Sequence, residues 1–268
     1  MDLQLHGKRA LVTGSSRGIG AAVARALAEE GARVVVHGRD RPSAERVVGL
    51  IQAAGGSAIA VLGDLTATGG AARVAREATE QLGGVDILVN NAGVYAGRGW
   101  FETSPESWRD FYESDVVSAV RLVYALVPGM RRAGWGRIIN VATGMATTPQ
   151  AMMADYAAAK AAMVNMTVGL AKALAGSGVT VNTVSPGVIH TDGVEAVLRE
   201  EAARRGWGDD WGDIQRRWFD DVLNDRTVDR LGTPEEVAAL VAFVASPRAA
   251  YVNGANLRAD GGKSPSVN

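Results

Sequence analysis

Two textures alternate along the chain. Short runs dominated by valine, leucine and isoleucine are nearly continuous in apolar character: "RALVTG" (9–14), "RVVVHG" (33–38), "AIAVLGD" (58–64), "VDILVNNAG" (85–93), "GRIINVAT" (136–143), "VTVNTVSPG" (179–187) and "ANLRADGG" (255–262). That is the pattern of strands covered on both faces. Between them lie alanine-rich stretches with apolar residues at helical spacing, such as "GAAVARALAEEG", which ends on Gly31 as a C-cap, and "AAAKAAMVNMTVGLAKALAG". In "GTPEEVAALVAFVAS", Thr233, Pro234 and Glu236 form a capping-box start. Repeated strand–helix units predict a doubly wound α/β fold, a parallel sheet with helices on both faces.

No linker or shift in composition divides the 268 residues, so residues 1–268 read as one domain. The irregular part is 192–230, charged and carrying Trp207, Trp211 and Trp218, with "VEAVLREEAARR" as a helix presenting Val194, Val197 and Leu198. An insertion of this length after a strand end predicts a substrate lid or an oligomer contact.

Composition narrows the function classes. The net charge is −1, which favours neither nucleic acid nor an anionic membrane as partner. There is no cysteine, hence no disulfide and no thiolate chemistry. No apolar run approaches the roughly 18 residues of a membrane span, and the first residues lack a signal peptide's features. A soluble cytoplasmic protein is expected. The histidines His6, His37 and His190 are scattered, and no metal site is expected.

The chemistry begins at "LVTGSSRGIGAAVARAL", where Gly14, Gly18 and Gly20 lie between the first strand and first helix. Glycine permits a sharp turn and a close backbone approach to a pyrophosphate, and the helix N-terminus supplies N–H donors and partial positive charge. In such folds an acid near the end of the second strand marks NAD. Here "VVVHGRDR" offers Gly38 in that place and Arg39 next, with Arg17 in the glycine loop. Two guanidiniums suit a 2′-phosphate, which favours NADP(H) over NAD(H). A second strand one residue longer would bring Asp40 to the acid's place and return NAD.

"TGSSRGIG" (13–20), "GDL" (63–65), "NNAG" (90–93), "YAAAK" (156–160) and "SPGVIHT" (185–191) together resemble the short-chain dehydrogenase/reductase family, in its order and at its spacings, from about residue 5 to 262. The "DGG" near the C-terminus resembles the β-ketoacyl-reductase-like branch. The resemblance implies a Rossmann sheet with strand order 3-2-1-4-5-6-7. It implies a cofactor set of Gly14, Ser16, Arg17, Gly18, Ile19, Gly20, Arg39, Asn91, Ala92, Pro186, Gly187, Val188, Tyr156 and Lys160. Asp64 and Leu65 would lie beside the adenine, Asn90 and Gly93 would shape the end of the fourth strand, and Thr191 would hold the carboxamide. It also implies a homo-oligomer, a tetramer or dimer.

Within that resemblance Tyr156 and Lys160 are the catalytic pair. Thr143 stands at the family's serine, and Asp115 at its asparagine, where a backbone carbonyl holds a water that relays protons from the lysine. Threonine keeps the hydroxyl but adds a methyl. An ionised Asp115 in a dry site is costly unless paired or protonated.

The residues themselves make chemical sense. Positions 156 and 160 lie one helical turn apart. A cation about 4 Å from a phenolate, at an effective dielectric near 20, is worth about 4 kcal/mol, roughly three pKa units. The predicted reaction is hydride transfer between NADP(H) and a carbonyl or secondary alcohol, probed as ketone or 3-oxoacyl-type reduction, with Tyr156 moving the proton and Thr143 orienting the oxygen. Tyr95, Trp100, Met145 and Met152 are candidate substrate walls, and their apolar character hints at a hydrophobic or aromatic substrate. Two other readings stay open: an NAD-dependent secondary-alcohol dehydrogenase, and a dinucleotide-binding sensor or scaffold without turnover.

Overall fold

A computed structural model describes residues 1–93, 97–222 and 227–265. Seven strands form one parallel sheet in the order β3-β2-β1-β4-β5-β6-β7, as the family resemblance implies. They are β1 (Arg9–Val12), β2 (Arg33–Gly38), β3 (Ser57–Leu62), β4 (Ile87–Asn90), β5 (Gly136–Val141), β6 (Val179–Pro186) and β7 (Asn256–Ala259). Alternate side chains of each strand enter different cores. Ala10, Val12, Val34, Val36, Ile139 and Val141 face α1 (Gly18–Glu29), α2 (Arg41–Ala53) and α9 (Pro234–Ala245). Leu11, Val35, Leu88, Ile138 and Val181 face α3 (Gly70–Leu82), α5 (Ser118–Ala133) and α6 (Ala154–Ala173). Two buried cores explain the unbroken apolar runs of the sequence.

The strand order reverses between β1 and β4, which pair through Ala10–Ile87, Leu11–Leu88 and Val12–Val89. In an open α/β sheet the ligand crevice forms beyond the carboxyl ends of strands at such a reversal. Thr233 and Glu236 close the capping box of α9. Helix α1 is capped at Glu30, and Gly31 follows with φ of 84°, the left-handed conformation that glycine tolerates.

Helix α4 (Pro105–Tyr112) runs into α5 through a π-helical turn, Glu113–Val117. The wider turn rotates side chains relative to a regular helix, a device frequent at functional sites. Its inward-facing residues are Asp115 and Val116.

The insertion folds as α7 (Asp192–Arg205) and α8 (Trp211–Val222). Leu198, Ala202, Ile214, Phe219 and Leu231 make a small core of their own, with Val194, Trp207, Trp211 and Trp218 packed against it. Val197, expected on the inner side, is 43 % exposed. It lies one residue off the face that carries Leu198 and Ala202. No described helix is long and apolar enough to cross a membrane.

Candidate active site

The glycine loop is built for close backbone contact. Gly14 and Gly18 have φ of 61° and 56°. A Cβ on Gly20 would lie 2.4 Å from the carbonyl oxygen of Gly14 and 2.5 Å from Asn91 Nδ2. The same amide donates to the carbonyls of Thr13 (2.9 Å) and Gly14 (3.1 Å), while the amides of Asn91 and Ala92 donate to Thr13 Oγ1 (3.0 and 2.9 Å). Asn91 and Ala92 therefore fasten the β4 end to the loop. Ile19 lies in the first turn of helix α1, whose N–H groups have no partner within the helix. Thr191, the N-cap of α7, places its methyl 3.5 Å from where a Gly18 Cβ would be.

At the other end of the cradle, β2 stops at Gly38, and a Cβ there would meet Ser16 at 3.0 Å. Asp40 is the N-cap of α2, its carboxylate accepting from the Ser43 amide at 2.9 Å. Arg17 and Arg39 are both exposed, and Asp64 is exposed beside buried Leu65. Asp64 accepts from the Thr66 amide and hydroxyl, which hold its carboxyl below the usual range, and Arg39 is close enough to add to this.

His37 is buried beneath the loop. Its Nδ1 accepts from the Gly14 amide at 3.2 Å and its Nε2 faces the Gly63 carbonyl at 3.1 Å. Its backbone N–H donates to Ser15 Oγ at 2.9 Å, and its carbonyl accepts from the Ser15 amide at 2.8 Å. Burial pushes its pKa down to about 4, so the ring is neutral with the proton on Nε2.

The four catalytic candidates converge from three elements. Thr143 follows β5, Tyr156 and Lys160 lie on α6, and Asp115 comes from the π turn. Thr143 is buried and its hydroxyl is a hydrogen-bond partner of the Tyr156 phenol. Lys160 Nζ lies 5.8 Å from the Tyr156 ring centre and donates to the Val141 carbonyl at 3.0 Å. Asp115 Oδ2 lies 3.2 Å from Lys160 Nζ, and Oδ1 accepts from Ser114 Oγ at 2.9 Å. Both ionic side chains are almost fully buried, 5 % exposed for the lysine and 0 % for the aspartate. A Cβ on Gly93 would strike this pair, 2.9 Å from Asp115 Oδ1 and 3.2 Å from Lys160 Nζ. The Phe111 ring meets Tyr156 edge-on at 6.0 Å.

These surroundings overturn one expectation. The Tyr156 phenol lies above its ordinary range, not below. Burial raises it most, Asp115 raises it further, and Lys160 and Thr143 only partly oppose them. For Lys160, burial works downward, but Asp115 and Tyr156 outweigh it and hold the ammonium above its ordinary range.

Comparison with known proteins agrees with this geometry. The family model for short chain dehydrogenases matches residues 8–202. The 3-oxoacyl-[acyl-carrier-protein] reductase FabG of Vibrio cholerae is 38 % identical over 260 residues, covering 97 % of this chain and 98 % of that one.

The chain is a short-chain dehydrogenase/reductase.

Among solved structures, L-sorbose reductase from Gluconobacter frateurii, complexed with NADPH and L-sorbose, superposes on this short-chain dehydrogenase/reductase with a TM-score of 0.92 at 32 % identity, covering all of both chains. A 7α-hydroxysteroid dehydrogenase complexed with NADH reaches 0.87 at 32 % identity, over 100 % of this chain and 98 % of that one.

The candidate substrate wall of this short-chain dehydrogenase/reductase is only partly as expected. Met145 lines a pocket with Thr143, Thr148, Gln150, Lys263 and Ser264. That wall is mixed, with Met145, Pro186 and Val188 beside the polar Thr143, Thr148, Gln150, Asp260, Lys263 and Ser264. Trp100 and Met152 are 54 % and 57 % exposed, away from that pocket, and Trp100 stacks edge-on with Trp108. Tyr95 lies outside the described residues. Pro186, Gly187 and Val188 turn past the pocket, and a Gly187 Cβ would lie 2.8 Å from Asp260 Cα. A cavity of about 210 Å³ adjoins it, reaching Phe219 of the insertion. Among the described residues no group of three or more metal-ligating side chains gathers. Sequence reasoning missed His37 and Lys263. For His37 a signal existed in its place, one residue before the end of the strand that runs beside the glycine loop.

Proposed function

We propose that this oxidoreductase transfers hydride between NADP(H) and a small carbonyl compound or secondary alcohol. The cofactor fits the chain's own residues: the cradle tolerates no Cβ at Gly20, and two exposed guanidiniums, Arg17 and Arg39, stand near the end of β2, which closes on Gly38 and not on an acid. Gly14, Ser16, Gly18, Ile19 and Gly20 would hold the pyrophosphate end, Asp64 and Leu65 the adenine, and Gly187, Val188 and Thr191 the nicotinamide end. When bound, the dinucleotide supplies or accepts the hydride.

The observation that carries this reading is the meeting of the Thr143 hydroxyl, the Tyr156 phenol and the Lys160 ammonium at the mouth of that cradle. Tyr156 donates its proton to the carbonyl oxygen in reduction and takes it back in oxidation. Thr143 donates a hydrogen bond that fixes that oxygen. Lys160 orients the phenol and would hold the ribose of the bound dinucleotide. In that mixed wall, Thr148, Gln150, Asp260, Lys263 and Ser264 offer polar partners beside Met145, Pro186 and Val188, which favours a substrate with polar groups besides its carbonyl over a purely apolar one. A similar breadth separates the relatives, one named for a 3-oxoacyl thioester and one complexed with L-sorbose.

The test is single-turnover oxidation of NADPH against a panel of ketones, 3-oxoacyl thioesters and ketoses. Wild type is expected to turn over members of the panel. Tyr156→Phe should lose about 10³-fold in rate while still binding NADPH, in the range of general acid–base contributions. Binding without turnover across the whole panel would favour the sensor reading instead.

A further inference from the structure

The catalytic lysine of this chain does not face its tyrosine alone. Lys160 Nζ is shared between the phenol's side and the Asp115 carboxylate, 3.2 Å away, in a place where neither ionic side chain is more than 5 % exposed. The contact is ionic. Nζ also directs bonds to the Val141 carbonyl at 3.0 Å and the Met163 sulfur at 3.6 Å. Opposite charges so close present to a third group the field of a dipole, which falls off faster than that of a bare ammonium. The π turn fixes this arrangement, with Ser114 Oγ donating to the other carboxylate oxygen at 2.9 Å.

We propose that Asp115 is a positioning residue that cancels the field of Lys160 at Tyr156, so that the phenol stays protonated and the enzyme works chiefly as a proton donor, in carbonyl reduction, until the medium is alkaline. This rests on the reading of Tyr156 as the proton-transfer residue.

The other groups around the phenol do not supply a second cation. From β5 comes the neutral Thr143 hydroxyl. From α4 comes the Phe111 ring, 6.0 Å away. On α6 itself, the Asp155 carboxylate accepts from Ser107 Oγ at 2.8 Å and from the Tyr156 backbone amide at 2.9 Å, turned toward α4. Among the described residues Lys160 and Asp115 are thus the charges that set the acidity of Tyr156, and burial adds to the effect of the carboxylate.

Two measurements test this. In the folded enzyme labelled with ¹³C at tyrosine Cζ, the Tyr156 resonance, identified by its loss in Tyr156→Phe, is followed against pH. Wild-type Tyr156 should titrate above about pH 10, the free tyrosine value. In Asp115→Asn it should titrate at least one pH unit lower, and the acid limb of secondary-alcohol oxidation should move down by the same amount. Wild-type titration well below pH 10, or an Asp115→Asn phenol that titrates unchanged or higher, overturns the proposal. Should Asp115→Asn fail to fold, the wild-type titration alone decides. The two readings fail separately. A phenol that shifts as expected while Tyr156→Phe keeps full turnover leaves the electrostatic inference standing and removes the functional one.

Discussion

The cofactor cradle and the catalytic pocket lie a few residues apart at the same sheet edge, yet they are organised by opposite means. The cradle is held by neutral hydrogen bonds. The side chains of Thr13, Asn91, Ser15 and His37 satisfy backbone groups of the loop and of the strands beside it at 2.7–3.2 Å, and the one titratable ring among them is kept uncharged. The pocket is held by an ion pair buried beside the reacting phenol. Neutral bonds are directional and fix shape. Buried charges are costly to desolvate, and their reach lets them set the acidity of a neighbour. On the proposed function, the cradle would determine what binds, and the pocket at what pH the bound species reacts.

Acid should break the cradle first. His37 takes up a proton near pH 6.5 when unfolded but only near about 4 when folded. Between those values the unfolded chain binds more protons, so folding stability falls as the pH drops. His37's share is full above pH 6.5 and lost progressively down to pH 4, an effect of about 3 kcal/mol at its limit. Protonated Nδ1 can no longer accept from Gly14, so NADP(H) affinity should weaken over the same window. Urea unfolding between pH 4 and 7 checks this. His37→Gln, which carries no titratable ring, should flatten the slope, and a slope unchanged in that variant would remove His37 from the account.

The exposed rim of the cradle should respond more weakly. Arg39→Asp places an acid next to Gly38, where a 2′-phosphate is expected. Loss of a charge-assisted contact is worth about 1.5–3 kcal/mol, so the NADP(H) dissociation constant should rise roughly 10–100-fold while that for NAD(H) holds or falls. Calorimetric titration of both nucleotides measures it. Equal affinity of the variant for NADP(H) would return Asp40 and NAD to consideration, although Asp40 is engaged in capping α2.

How far each region could be read from sequence follows from the same contrast. Strands were visible because two cores cover the sheet, leaving runs such as "RVVVHG" and "GRIINV" apolar on both faces. The glycines were visible because Gly20 leaves no room for a Cβ. Thr143 was found from its distance to Tyr156, since both hang from neighbouring elements. The ion pair was only half visible. Asp115 and Lys160 lie 45 positions apart, and their approach depends on a π turn that no local pattern in "FYESDVVSAV" announces. His37 was read as one of three scattered histidines because its role exists only once β2 lies beside β1 in register. The insertion was read as a lid or an oligomer contact, and its Trp207, Trp211 and Trp218 pack on a small core of its own, a pairing of two helices that no local pattern announces.

The smallest effect should come from Thr143, where the two regions touch. Its hydroxyl reaches the phenol, and its Oγ1 also accepts from the Met145 amide at 3.4 Å. That second contact aims the hydroxyl whether or not a methyl is present. Thr143→Ser should therefore keep the rate constant for turnover within about threefold, because one hydroxyl replaces another and only χ1 freedom is gained. The methyl matters for the pocket instead. Without it the wall opposite Met145 recedes, so KM should fall for substrates branched next to the carbonyl and change little for unbranched ones. Steady-state comparison of the two substrate classes checks this. A tenfold loss of rate with both classes would mean that the methyl holds the hydroxyl in place, and that the pocket is fixed by packing as well as by charge.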